Sequence, residues 1–442
     1  MIEIYAVGGY SGIGKNMTAI KCGNEAIIID MGIDVSKLMD YEGDSSELSN
    51  NKLLELEVLP DDREVFKKLG PMVKAITCSH AHLDHLGAVA KISNKYSCPI
   101  IITPFSYEVL KNLEKNQKEK IKNKIVRLNA GKSFSVSKNF KIEFIYTTHS
   151  TLQSVIIAIH TPDGVIIYTN DFKFDDNPTY GSKTNYDRLK QLGNQGVLAL
   201  LDDSTRIDNP GRTFSESIVR EMIKDLLLNL KSKKKLVVLT TFASHCIRIN
   251  NIIEISKKMG RTPIIFGRSM KNYLQASTNA KLIDFSKAKI ASFNAEVAEA
   301  FNRIKRVGKD KFLLVMTGNQ GEPNSMLSRM AKDELPLKFE QDDIVVFCSE
   351  TIPVPECITN RANLEKQLKN KGVRIYLDFH ASGHAAREDH RDLIKMVKPK
   401  FYIPSHGTPE KLKSGAELAK EEGYKPSNIK MLKNGESVIL KK

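Results

Sequence analysis

The chain reads as an α/β protein with one domain inserted into another, and three observations predict it. Short apolar segments alternate with turns from residue 2 to about residue 201. Near residue 205 the texture changes to buried-type strands separated by helical stretches. Two apolar segments, 373–377 and 400–403, then return to the first pattern. The expected layout is residues 1–204 and 369–442 as one domain, two β-sheets sandwiched between helices. Residues 205–368 form the insert, a mostly parallel sheet flanked by helices.

The elements follow in order. Residues 3–7, 26–30, 75–78, 100–103, 141–146, 155–159 and 165–169 are short, apolar and rich in β-branched side chains, as buried strands are. Helical patterns interleave at 88–95 and in the lysine-rich 105–125. Residues 34–64 are acidic and polar without an apolar period and read as a long surface loop. After a strand at 197–201, residues 212–230 carry the apolar spacing of an amphipathic helix. Strands at 236–240, 263–266, 312–316 and 344–348 alternate with helices, the pattern of an open parallel sheet.

Composition narrows the class. Lys plus Arg number 67 and Asp plus Glu 52, a net charge of +15, which favours a polyanionic partner. No apolar run is long enough to span a membrane, and Met1-Ile2-Glu3-Ile4 does not open a signal peptide. The six cysteines, at 22, 78, 98, 246, 348 and 357, include no Cys-x-x-Cys pair. Reduced core thiols in a cytoplasmic protein are expected. Trp is absent, which leaves 18 Phe and 13 Tyr for base stacking.

The heptapeptide Ser79-His80-Ala81-His82-Leu83-Asp84-His85 carries the most chemistry. Four ligand-type side chains sit where the strand ending at Cys78 gives way to a loop. His80 and His82, two apart, point to one side in extended backbone; Asp84 and His85 follow a turn and can face a second point. That suits two ions side by side, and imidazole with carboxylate suits zinc or a similar divalent ion. Further donors end other strands: His149 after 140–146, Asp171 after 165–169, His406 after 401–403.

His80, His82, Asp84 and His85, then His149, Asp171 and His406 in that order, resemble the metallo-β-lactamase fold. Asp203-Ser204-Thr205 is similar to the acidic motif that opens a β-CASP insert. His380-Ala381-Ser382-Gly383-His384 and Ser405-His406-Gly407 resemble the later motifs of that group. Gly8-Gly9-Tyr10-Ser11-Gly12-Ile13-Gly14-Lys15-Asn16-Met17 and Thr317-Gly318-Asn319-Gln320-Gly321-Glu322-Pro323 are similar to ribonuclease J. The resemblance covers about residues 2–440. It implies an αββα metallo-β-lactamase sandwich with an inserted β-CASP domain. The archaeal type, without the extra C-terminal domain of bacterial relatives, is the better match.

The resemblance implies a metal-dependent ribonuclease acting on single-stranded RNA, mainly 5′ to 3′ from 5′-monophosphate ends. His80, His82 and His149 would hold one ion, and Asp84, His85 and His406 the other. Asp171 would bridge, since a carboxylate has two oxygens to share. Zinc is expected, with magnesium or manganese as alternatives in activity. The ions would activate a water for attack on phosphorus, which makes Asp84 catalytic as well as a ligand. His384, held by Asp203, is the candidate proton donor to the leaving oxygen, with a phosphate clamp as the alternative role. His380, Ala381, Ser382, Gly383 and His384, with Ser244, His245, Gly318 and Gly321, are the candidate substrate contacts, because small residues let a phosphate approach backbone N–H groups. The run from Gly8 to Gly14 reads instead as a tight turn. Of the other histidines, His160 reads as structural and His390 as a surface residue of a charged helix. A homodimer is expected.

Rival readings stay open. A lactamase or thioesterase of this fold would lack the 205–370 insert and the His-Ala-Ser-Gly-His motif. A β-CASP endonuclease of RNA processing, or a DNA nuclease of the group, would share the metal ligands. A non-catalytic RNA-binding relative would lose some of the seven.

Overall fold

The computed structural model describes residues 1–39, 48–115, 117, 120–230, 232, 234–352 and 354–441. They form two compact units: Met1–Asp176 with Ser182–Thr213 and Gly383–Lys442, and Asn177–Gly181 with Phe214–Ser382.

The first unit holds two sheets. One runs in the order Ser437–Leu440, Ile2–Gly8, Met17–Cys22, Glu25–Ile29, Val73–Thr77, Ile100–Ile102, Ile125–Arg127. Its pairs are antiparallel as far as Glu25–Ile29 and parallel beyond. The other runs Phe401–Ser405, Val197–Asp203, Gly164–Tyr168, Val155–Thr161, Lys141–Tyr146, Ser133–Ser135. Alternation along the strands splits the apolar side chains between two layers. Ile166, Tyr168, Ala199 and Leu201 join Ile4, Ile27, Ile29 and Ile101 of the first sheet in one buried cluster. Ile167 and Leu200 face the other way, onto Leu189 and Leu192 of helix Tyr186–Gln195 and Leu393 and Val397 of helix Arg387–Val397. Strand ends, rather than strand middles, are therefore free to carry polar chemistry.

The second unit is a fully parallel sheet in the order Lys289–Ala291, Thr262–Phe266, Phe312–Met316, Val237–Thr240, Ile344–Phe347, Arg374–Tyr376. Its strands are buried on both faces at the centre, which is why they read as unbroken apolar runs.

Several expectations need correction. The segment 373–377 does not rejoin the first unit. Arg374–Tyr376 pairs in parallel with Ile344–Phe347 after helix Pro355–Asn370, completing a βαβ step, and Val373 lies in the insert's own core. The helix expected over 105–125 is Pro104–Glu114, capped by Thr103, and residues 125–127 are a strand. The amphipathic helix begins at Glu216, where the Ser215 hydroxyl accepts from Ser217 N. The loop expected over 34–64 contains short helices at Val35–Met39 and Asn50–Glu55 and the start of Arg63–Leu69; its residues 40–47 lie outside the described residues. His390 is not on the surface but fully buried. Its helix turns Asp389, His390, Leu393 and Ile394 inward.

Candidate metal centre

The heptapeptide is held by backbone before any metal is considered. Strand Val73–Thr77 ends in the first unit's core, and His82 caps the short helix Leu83–Leu86 that carries Asp84 and His85. Asn16 N donates to Asp84 O, Met31 N to His85 O and Ile33 N to Leu83 O, at 2.8–2.9 Å. Gly32 is required there: a Cβ on it would stand 1.6 Å from Asp84 O. One buried carboxylate organises the donors. Asp30, with φ of 59°, accepts from Ser79 N at 2.8 Å, Ser79 Oγ, Tyr168 Oη at 2.9 Å and His85 Nδ1 at 2.7 Å. The Ser79 hydroxyl in turn lies 3.1 Å from His80 Nδ1. On the opposite strand end, His149 Nδ1 donates to Gly383 O at 2.6 Å. Each of these bonds occupies Nδ1 and turns Nε2 toward a common point, the arrangement a metal-binding imidazole needs.

Three overlapping donor sets result among the described residues, one of them Asp171, Asp203, His384 and His406. His80, His82, His149 and Asp171 each offer an atom within 4.8 Å of the others, and so do Asp84, His85, Asp171 and His406. Asp171 divides these last two. Its Oδ2 lies 3.4 Å from His80 Nε2 and 3.5 Å from His149 Nε2; its Oδ1 lies 3.0 Å from His85 Nε2 and 3.2 Å from His406 Nε2. His82 faces His149 with Nδ1, at 3.1 Å. All seven expected ligands are brought together in the first unit, in the expected grouping.

The cluster fits divalent metal ions. His80 Nε2, His406 Nε2 and Asp171 Oδ1 are buried close to one another, and among the described residues none of them makes a well-aligned hydrogen bond, a cost the fold bears unless something else satisfies them. Burial and the neighbouring His80 push His82 down to about 3; burial and His82 push His149 well below the usual range. Both are thus neutral imidazoles, the form that binds metal. Burial alone would raise Asp171, but His85, His406 and His384 hold it well below the usual carboxylate range, so it stays ionised.

His384 stands beside the cluster. Its Nδ1 is 2.8 Å from Asp203 Oδ2 and its Nε2 is 3.8 Å from Asp171 Oδ2. Burial works against its charged form, yet Asp203 and Asp171 push it up to about 9. Strand Val197–Asp203 presents its last two residues to opposite sides. Asp203 holds His384, while Asp202 accepts from Tyr402 Oη at 2.9 Å and pairs with His390 Nδ1 at 3.0 Å.

The other expected substrate residues divide between the units. Gly383 lies in the first, where its carbonyl already serves His149, and a Cβ on it would meet His149 Cε1 at 2.6 Å. Ser244, His245, Gly318, Gly321, His380, Ala381 and Ser382 lie in the second. The His245 ring is turned inward: Nδ1 accepts from Arg248 N at 3.4 Å and Nε2 is 3.5 Å from Glu216. Gly318 and Gly321 have packing reasons of their own. Their φ values are 120° and 75°, and a Cβ at Gly321 would stand 2.3 Å from Asn360 O. Sequence reasoning missed Asp30, Asp202, Glu216 and Arg248. Asp30 gave a usable signal, since it ends an apolar strand as Asp171 does.

Comparison with known proteins agrees with this chemistry. The family model "Metallo-beta-lactamase superfamily" matches residues 12–240, "Ribonuclease J, beta-CASP domain" residues 234–364, and "Zn-dependent metallo-hydrolase RNA specificity domain" residues 372–431. Fold and site together define a metallo-β-lactamase-type hydrolase with a β-CASP insert. The ribonuclease J of Methanocaldococcus jannaschii is 41% identical over 439 residues, covering 98% of both chains. That of Pyrococcus abyssi is 40% identical, covering 96% of this chain and 94% of its own, and ribonuclease J2 of Bacillus subtilis is 30% identical, covering 99% and 75%. The chain belongs to the ribonuclease J family. A crystal structure of a protein of unknown function from Enterococcus faecalis V583 shares the fold, with a TM-score of 0.67 at 17% identity over 99% of this chain and all of that one.

Proposed function

We infer that this metal-dependent ribonuclease degrades single-stranded RNA from its 5′ end and prefers a 5′-monophosphate. The observation that carries the catalytic reading is Asp171, whose two oxygens each serve one of two complete donor sets. His80, His82 and His149 would hold one ion and Asp84, His85 and His406 the other, with Asp171 shared. The imidazole-rich first set favours zinc. Two such ions supply Lewis acidity to a phosphate and lower the pKa of a water between them.

The chain's own groups do the rest. Asp203 keeps His384 protonated and fixes its Nδ1, so Nε2–H is available to the leaving oxygen. Asp30 and Gly383 keep the imidazoles from rotating. His380, Ala381 and Ser382 precede Gly383 and His384 in one continuous segment and are the proposed phosphate contacts, with Ser244 beside them in role. A lactamase or thioesterase reading has no use for the β-CASP insert.

His384→Ala separates the roles. Turnover should fall roughly 10²–10⁴-fold with metal content unchanged. Loss of zinc from the purified variant would make His384 a ligand instead of a proton donor. Direction is tested by a time course on one RNA bearing a 5′-monophosphate, triphosphate or hydroxyl. Mononucleotides from the monophosphate form should appear first and fastest. Mid-chain products appearing equally from all three ends would make the protein mainly an endonuclease. A cytoplasmic homodimer is the proposed state, checked by sedimentation. No helix of the described residues is long and apolar enough to cross a membrane.

A further inference from the structure

Among the described residues of the insert, one arginine is fully buried. Arg248, on helix Cys246–Lys258, has no exposed surface. A guanidinium carries five N–H donors and no acceptor. All five are used. Nε donates to Glu216 Oε1 at 2.9 Å and Nη2 to Glu216 Oε2 at 2.5 Å, a bidentate pair. Nη2 also donates to Ala381 O at 3.3 Å, Nη1 to Cys348 O at 2.8 Å, and Nη1 to His380 Nδ1 at 2.8 Å. Glu216 is itself buried at the first turn of helix Glu216–Asn229, and the ring of His245 lies against it.

The last bond has a chemical consequence. Because the guanidinium can only donate, His380 Nδ1 must present its lone pair, and the ring proton then sits on Nε2. A proton on Nδ1 would point at a cation 2.8 Å away. Two neighbouring residues of the His-Ala-Ser-Gly-His motif, His380 by its ring and Ala381 by its carbonyl, are thus gripped by one side chain. A buried ion pair is costly to assemble and gives little net stability, so its retention asks for another reason. We propose that Arg248, held by Glu216, is the positioning residue that fixes His380 as an Nε2–H donor to an RNA phosphate. The assignment deepens the reading of His380 as a substrate contact and rests on it. It also separates the two histidines of this unit: the Nδ1 of His380 is held by Arg248, and His245 lies against Glu216.

Two measurements on the full, metal-loaded chain test it. The first is the tautomer. Long-range 1H–15N correlation spectra of histidine-labelled protein, with His380 assigned from the His380→Asn variant, should show a bare Nδ1 and a protonated Nε2 at pH 7. A proton on Nδ1, or rapid averaging of both forms, would overturn the proposal.

The second is kinetic. Arg248→Lys cannot make the same set of bonds, and it should raise KM for 5′-monophosphorylated RNA by roughly 10-fold while kcat moves less than about threefold. In the His380→Asn background the same change should add less than about twofold, because both variants remove one interaction. Multiplicative effects, or equal losses in kcat, would reduce Arg248 to a structural role and sink the idea. If Arg248→Lys does not fold, judged by its melting curve, the tautomer of the unmodified chain decides. If His380→Asn leaves KM unchanged while the tautomer is as expected, the substrate reading of His380 fails and the Arg248 geometry stands.

Discussion

At the scale of single residues, the site depends on groups that touch no substrate. Asp30 orders Ser79 and His85 together and reaches His80 through the Ser79 hydroxyl. Asp30→Asn removes a charged acceptor from His85, and metal affinity should fall roughly 10–100-fold, measured by chelator competition, with circular dichroism unchanged. Unaltered affinity would leave Asp30 a role in folding only. The ligands themselves were legible in the sequence, because His, Asp and strand-end position are each visible in one dimension. Their supports were not. Asp30 and His85 are 55 positions apart and Asp202 and His390 are 188 apart, and only the fold brings them together. The reading of His390 as a surface residue failed for that reason: a charged helix conceals which face meets a buried carboxylate.

At the scale of elements, close packing sets the tolerance of the site. Gly383→Ala would drive a methyl to 2.6 Å from His149 Cε1 and 2.7 Å from its Nδ1. Metal content and turnover should fall together, whereas a mere loss of phosphate contact would spare the metal. The middle strands of the second sheet show a different economy. Glu143, on Lys141–Tyr146, accepts from His160 at 2.7 Å and takes a two-pronged bond from Arg188. Burial would raise Glu143, but His160 and Arg188 hold it at about 2, against 4.5 for an ordinary Glu. A carboxylate depressed in the folded state contributes stability above pH 4.5 and loses it as pH falls toward 2. Glu143→Gln should cost about 1–2 kcal/mol at pH 7 in urea unfolding, with the gap narrowing below pH 4.5. A gap that persists at pH 2.5 would assign the cost to packing. Central strands such as 312–316 and 344–348 were visible in the sequence because both faces are buried. Short edge strands such as Ile125–Arg127 and Ser437–Leu440 were not, since half-exposed segments lack an apolar run.

At the scale of the whole molecule, charge and chemistry are separable. The excess of +15 belongs to the chain as a whole, while the candidate ligand cluster is buried or half-buried and includes the carboxylates of Asp84 and Asp171. Asp84→Ala should therefore abolish cleavage yet leave RNA binding largely intact, with affinity falling as salt rises in proportion to the phosphates neutralised. Binding lost along with cleavage would mean that the metals carry the affinity. Chelation should mimic the variant, and added zinc should restore the wild type alone. By contacts the second unit runs over Phe214–Ser382, whereas the change of texture in the sequence lies near residues 205 and 368.

The order of the ligands along the chain has a consequence in time. His80 through Asp171 emerge early in synthesis, and His406 comes on the order of tens of seconds later at ordinary elongation rates. Until then Phe401–Ser405 cannot pair with Val197–Asp203, and Ser437–Leu440 cannot close the sheet beside Ile2–Gly8. A growing chain therefore holds one donor set whole and the other without its His406. A ribonuclease is made while attached to an RNA, and on this topology its second donor set stays incomplete until residue 406 has been added.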